Sequence, residues 1–104
     1  MGYWLVTSTS QIALAPGDNI IGRDPKLKAF LDSPSVSRRH ARIRIEGDRV
    51  TLEDLDSKNG THARDARVTE ATPLNDGDEL RFGSVSVSFR AWVPDTTRSE
   101  TGSP

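Results

Sequence analysis

The sequence predicts a single all-β domain, and three observations carry that reading. Short runs of alternating apolar and polar residues recur along the chain, turn pairs punctuate them every several residues, and only one six-residue stretch has helical character. Many short strands between such turns form the pattern of a sandwich or a barrel. At 104 residues the chain is long enough to bury one core, and its 34% hydrophobic content suits a thin two-layer β fold.

The elements follow in order. Tyr3 to Thr7 is rich in aromatic and β-branched residues and reads as the first strand. Gln11 to Leu14 is a second short strand that ends at Pro16-Gly17-Asp18. Asn19-Ile20-Ile21 is a third, leading into Gly22. Lys26 to Leu31 is too short to nucleate a helix and is expected to be a loop with one turn. Ala41, Ile43 and Ile45 alternate with Arg42, Arg44 and Glu46, the period of a half-buried strand. Gly47-Asp48 reads as a tight hairpin turn, and Arg49 to Glu53 returns with Val50 and Leu52 inward. Leu80 and Phe82 share a face, Gly83-Ser84 turns the chain, and Val85, Val87 and Phe89 face the core from the last strand.

Composition narrows the function. There is no cysteine, so disulfides and thiolate metal sites are excluded. No apolar run reaches the length of a membrane span and no secretory pattern opens the chain, which predicts a soluble cytoplasmic domain with a nuclear location left open. Net charge is −1, yet Gly22 to Arg44 holds seven Lys or Arg against two Asp. That asymmetry suggests a focused positive field rather than a basic coat. From Pro94 onward nothing apolar anchors the chain, so residues 1–93 are expected to form the domain and 94–104 a flexible tail or linker within a longer protein.

Three loops carry the candidate chemistry. Gly22-Arg23 ends a strand: the glycine is expected to adopt backbone angles that other residues resist, and Arg23 offers a planar fork of donors for two oxygens of one anion. The plain alternative for Arg23 is a surface ion pair with Asp24 or Asp32. Ser37-Arg38-Arg39-His40 adds a hydroxyl and two guanidinium groups, which point in opposed directions if the segment is extended. His40 is expected to brace neighbouring loops through side-chain to backbone hydrogen bonds. Ser57-Lys58-Asn59-Gly60-Thr61 adds an amide that can pair with an extended peptide, and a point charge; the plain alternative is a hairpin turn. If the strands bring these loops to one edge, they make a pocket of charge-assisted donors shaped for a phosphate.

Taken in order, Gly22-Arg23, Ser37-x-x-His40, Asp54-Leu55-x-Ser57-x-Asn59-Gly60-Thr61 and Leu74-x-x-Gly77-Asp78-x-Leu80-x-Phe82-Gly83 resemble the forkhead-associated (FHA) domain family, across roughly Trp4 to Phe89. The resemblance implies a twisted, antiparallel-rich, two-sheet β-sandwich with recognition loops at one end. It implies a non-enzymatic adaptor that binds phosphothreonine in segments of partner proteins, the substrates of Ser/Thr kinases, with no cofactor and no metal. By that resemblance Arg23 and Ser37 contact the phosphate, Lys58 assists them, Asn59 holds the peptide backbone and Arg38 is a secondary contact. Gly22, His40 and Gly60 shape the loops. The chain departs from the family after Thr61, where a valine and a second asparagine are common and Ala63 and Arg64 stand instead. One peptide contact is thereby removed, and Arg64 becomes a candidate for an acidic ligand side chain.

Other functions are weaker fits. Arg38, Arg39, Arg42 and Arg44 could track a nucleic-acid backbone, but the net charge, the acidic cluster from Glu46 to Asp56 and the lack of interleaved aromatics argue against it. A Ser37–His40 hydrolase lacks a G-x-S-x-G turn, and an extended segment would put the two side chains on opposite faces. Phosphate-independent assembly through a sheet face or edge would leave Arg23 and Ser37 without a use. No membrane partner is expected. Thr96 and Thr97 are candidate sites by which a phosphorylated tail could reach its own pocket or a neighbour's.

Overall fold

The structure, a computed structural model, describes residues 2–92. The tail from Pro94, with Thr96 and Thr97, lies outside the described residues. Eleven strands follow one another: β1 Gly2–Val6, β2 Gln11–Leu14, β3 Gly17–Gly22, β4 Ala29–Phe30, β5 Ala41–Glu46, β6 Arg49–Asp54, β7 Thr61–Ala63, β8 Ala66–Arg67, β9 Thr72–Pro73, β10 Glu79–Phe82 and β11 Val85–Trp92. They form two sheets, one in the order β2-β1-β11-β10-β7-β8 and one in the order β4-β3-β5-β6-β9. Every pairing is antiparallel except the short β3–β4 pair, where Ile21 faces Ala29 and Gly22 faces Phe30. The sandwich that the sequence pointed to is therefore the fold.

The period-2 runs settle the faces. Ala41, Ile43 and Ile45 are buried while Arg42 and Arg44 stand outside. Across the hairpin, Val50 and Leu52 lie opposite Ile45 and Ile43 and close the same layer. Leu5, Leu80, Phe82, Val87 and Phe89 supply the facing layer, and the Tyr3 ring stacks on Phe89 with centroids 5.9 Å apart. Burial of side chains this large stabilises by about 1.5–3 kcal/mol each, the main force holding the sheets together. Lys26 to Leu31 is not one loop. An Asp24-Pro25 turn, closed by Leu27 N–H to Asp24 C=O (3.0 Å), leads into the two-residue β4.

The chain between Thr61 and Pro73 shows no strand period in its sequence, yet it holds β7, β8 and β9. Two or three residues are too few to display a period. Arg64 and Asp65 form the turn between β7 and β8, with φ of 53° and 66° and the Ala63–Ala66 pair beneath them. Two successive left-handed residues are the geometry that Asn-Gly serves best. Asp65→Gly should therefore stabilise the domain by about 0.5–1 kcal/mol, because a left-handed non-glycine residue costs roughly that or more. A melting temperature raised by a few degrees checks this, and an unchanged or lower value contradicts it.

Candidate functional site

The ends of β3 and β6 and the starts of β5 and β7 meet at one end of the sandwich. There Arg23, Ser37, Lys58 and Asn59 line a single recess of about 160 Å³, together with Pro34, Ser35 and Val36. Three loops from distant parts of the chain thus converge on one spot. Two cations line the recess and no carboxylate does.

Close packing of loop on strand brings Arg23 to Ser37. Gly22 is buried at the end of β3, and a Cβ on it would stand 1.9 Å from the carbonyl oxygen of Arg38 and 3.0 Å from that of Ser37. Its φ lies outside the left-handed region, so the expectation of unusual backbone angles at Gly22 is corrected: the glycine is needed for close approach, not for conformation. The adjacent Arg23 N–H donates to Ser37 C=O (2.9 Å), and Arg23 Nε donates to Val36 C=O (3.0 Å). The guanidinium is thereby aimed while its two terminal nitrogens remain available. Among the described residues Arg23 forms no ion pair, and Asp24 is engaged by Arg38 at 3.7 Å instead.

His40 is fully buried and latches two loops. Its Nδ1 accepts the Ser37 N–H (3.0 Å), so its proton sits on Nε2, which donates to Gly60 C=O (2.8 Å). The Phe82 ring meets it edge-on at 5.9 Å. Arg38 and Arg39 form a turn rather than an extended stretch, and the geometric ground for separating Ser37 from His40 is corrected accordingly. The two are neighbours, but both ring nitrogens are occupied and neither is paired with the Ser37 hydroxyl. That hydroxyl accepts the Lys58 N–H (3.0 Å), which leaves its own hydrogen free to point into the recess.

The loop after β6 crosses from one sheet to the other, so the hairpin reading of Ser57 to Thr61 does not hold. Asp54 organises it. Its carboxylate accepts the Ser57 amide (3.1 Å), the Ser57 hydroxyl and the buried Thr61 hydroxyl (2.6 Å), while Ser57 Oγ accepts the Gly60 N–H (3.0 Å). Gly60 takes a φ of 87° and its carbonyl also receives the Gly83 N–H (3.0 Å). Asn59 Nδ2 donates to Ser35 C=O (2.8 Å), clasping this loop to the Ser37 loop.

Asp54, Ser57 and Ser35 were given no role by the sequence reading. The three-residue spacing from Asp54 to Ser57 is a side-chain-to-backbone turn signal that could have identified the first two. Nothing in the sequence marks Ser35. The structure does not bring Arg38 to the recess: its side chain is 72% exposed and turned toward Asp24. Arg64 sits in the β7–β8 turn with its guanidinium on Asp78 and does not line the recess.

Burial alone would push the Asp54 carboxyl up, but hydrogen bonds from the Ser57 and Thr61 hydroxyls and the Ser57 amide outweigh it and hold it below its usual 3.8. A depressed carboxylate contributes stability that is present above the unfolded value and lost as pH falls through the lower folded one. Chemical denaturation from pH 6 down to about 2 should therefore show stability falling below about 4, and Asp54→Asn should flatten that fall. Equal acid slopes in the two proteins would contradict this account of the loop.

Comparison with known proteins identifies the family of the chain. The FHA domain pattern covers residues 19–83. The FHA domain-containing protein FhaA of Mycobacterium tuberculosis is 43% identical over 77 residues, 74% of this chain and 14% of the relative. A solved structure from an analysis of phosphothreonine-dependent FHA domain interactions superposes with a TM-score of 0.84 at 35% identity, covering 89% of this chain and 99% of that one. The structure of Mycobacterium tuberculosis EmbR in complex with a low-affinity phosphopeptide superposes with a TM-score of 0.82 at 32% identity, covering 92% of this chain and 26% of that one. The chain spans less than half the length of the curated relatives it matches. The chain belongs to the FHA domain family.

Proposed function

We propose that this FHA domain is a phosphothreonine-dependent binding module, an adaptor that docks onto partners modified by Ser/Thr kinases in the cytoplasm. One observation carries the reading: Arg23, Ser37, Lys58 and Asn59, drawn from three loops, line one recess that no carboxylate lines. A phosphothreonine brings about −1.5 to −2 charges and three strong acceptor oxygens at neutral pH. The Arg23 terminal nitrogens and the outward Ser37 hydrogen meet two of those oxygens, Lys58 supplies a mobile charge, and the remaining Asn59 groups hold the ligand backbone. Because Val36, His40 and Ser35 already fix these donors, little ordering remains to be done on binding. Gly22, His40 and Gly60 act as supports. The activity is binding without catalysis, a reading supported by a histidine with both nitrogens engaged.

The experiment is a calorimetric titration with three matched peptides carrying phosphothreonine, phosphoserine or threonine. The unmodified peptide should bind at least about 100-fold more weakly than the first, since it leaves charged donors unpaired. Equal affinity for threonine and phosphothreonine would sink the proposal and leave phosphate-independent assembly in its place.

A further inference from the structure

We infer that the open edge of β2 is a second docking site, for an extended acidic segment of a partner that adds itself to the sheet as a further strand. The four sheet edges differ in their protection. An exposed edge invites pairing, and proteins blunt it with shortness, charge or proline. β4 and β8 have two residues each, and β8 carries Arg67; β9 has two residues, one of them Pro73. β2 alone is unprotected: it has four residues, Gln-Ile-Ala-Leu, without charge or proline, and pairs only with β1 among the described residues.

Two hollows of the described surface lie near this edge. On the outer face a groove of about 410 Å³ runs over β2, β1 and β11, lined by Gln11, Trp4, Val6, Trp92 and Arg90, the last engaged by Asp76. The Trp4 and Trp92 rings lie 6.0 Å apart, and Trp92 is 58% exposed where an outer sheet face would ordinarily be polar. On the other side, between the edges of the two sheets, a groove of about 290 Å³ is lined by Leu14 and Leu27 with Lys26 and Lys28. Neither lysine forms an ion pair among the described residues, although Lys26 lies in the field of Asp24. Asp18, on the same wall, is engaged by Arg44 at 2.8 Å.

A strand laid against β2 turns alternate side chains toward the lysine groove, and the others lie on the outer face beside Gln11 and Ala13. Apolar residues fall on the outer face, and carboxylates fall on the lysine side. Neither groove shares a residue with the phosphate recess, so this site stands independently of the proposed function.

The test uses the full chain and the acetylated peptide (Val-Glu)4, with (Val-Lys)4 as control. Expected are amide NMR shifts at Gln11 to Leu14, slowed exchange of the outward β2 amides, and affinity lowered by about tenfold or more in the Lys26→Glu/Lys28→Glu double variant. Arg23→Ala should leave this binding unchanged, and the double lysine variant should leave phosphothreonine binding unchanged. The inference is overturned by shifts confined to the recess, by equal binding of (Val-Lys)4, or by no β2 shift at millimolar peptide. Concentration-dependent self-association that protects β2 without peptide also overturns it, because a second copy then occupies the edge.

Discussion

Arg23→Ala is expected to weaken a phosphothreonine peptide by roughly 30- to 1,000-fold, about 2–4 kcal/mol, mostly through faster dissociation. The side chain is exposed, with Nε donating to Val36 C=O. Its loss should therefore move the melting temperature little, and the unphosphorylated peptide should bind as weakly as before. Arg23→Lys keeps a charge but not the planar fork, so its affinity should fall between the two. Lys58→Ala should lose less, because Lys58 is exposed and its charge is screened by salt. Titrations of the four proteins against one peptide at two ionic strengths check this order. If Arg23→Ala binds like the parent, the phosphate does not sit where the loops converge.

Gly22→Ala is expected to be the most damaging small change to the fold. The new methyl carbon would lie 1.9 Å from Arg38 O and 2.6 Å from Arg38 C, inside any allowed contact, and both are backbone atoms that no rotamer change can move. Relief requires displacing the turn at Arg38 and Arg39, and with it the Arg23–Ser37 and Ser37–His40 hydrogen bonds. Overpacking of this kind costs about 3 kcal/mol or more, a large share of a small domain's stability. Urea denaturation should show the loss directly. Phosphopeptide affinity should fall even under conditions where the variant is fully folded, since the displaced turn carries Ser37. A variant with parental stability would show that the loop does not lie on the strand as described.

The parts of the molecule that could be read in advance are those whose side chains repeat. Ala41-Ile43-Ile45 and Val50-Leu52 announce two strands and their faces, because burial on one side of a sheet imposes a period of two. β8 and β9 were illegible because each is a two-residue pairing set by its neighbours. The recess divides in the same way. Arg23, Ser37, Lys58 and Asn59 could be named because each carries a group with chemistry to offer. Ser35 could not: what it contributes to Asn59 is a carbonyl oxygen, which every residue has. Gly22 was found for the wrong reason, since a sequence shows that a residue has no side chain but not what presses on the empty space. Arg38, a contact only by the resemblance, reaches toward Asp24 because the chain turns at Arg38 and Arg39.

Gly2 lies directly across from Trp92, and β11 runs from Val85, beside the Gly83 turn that touches Ser35, to Trp92. At about 3.3 Å per residue that places Trp92 about 23 Å from the reading rim. Entry and exit thus share a doorstep at the pole opposite the loops. A module wired in this manner can be spliced into a surface loop of an unrelated host without stretching it, and its rim still faces outward.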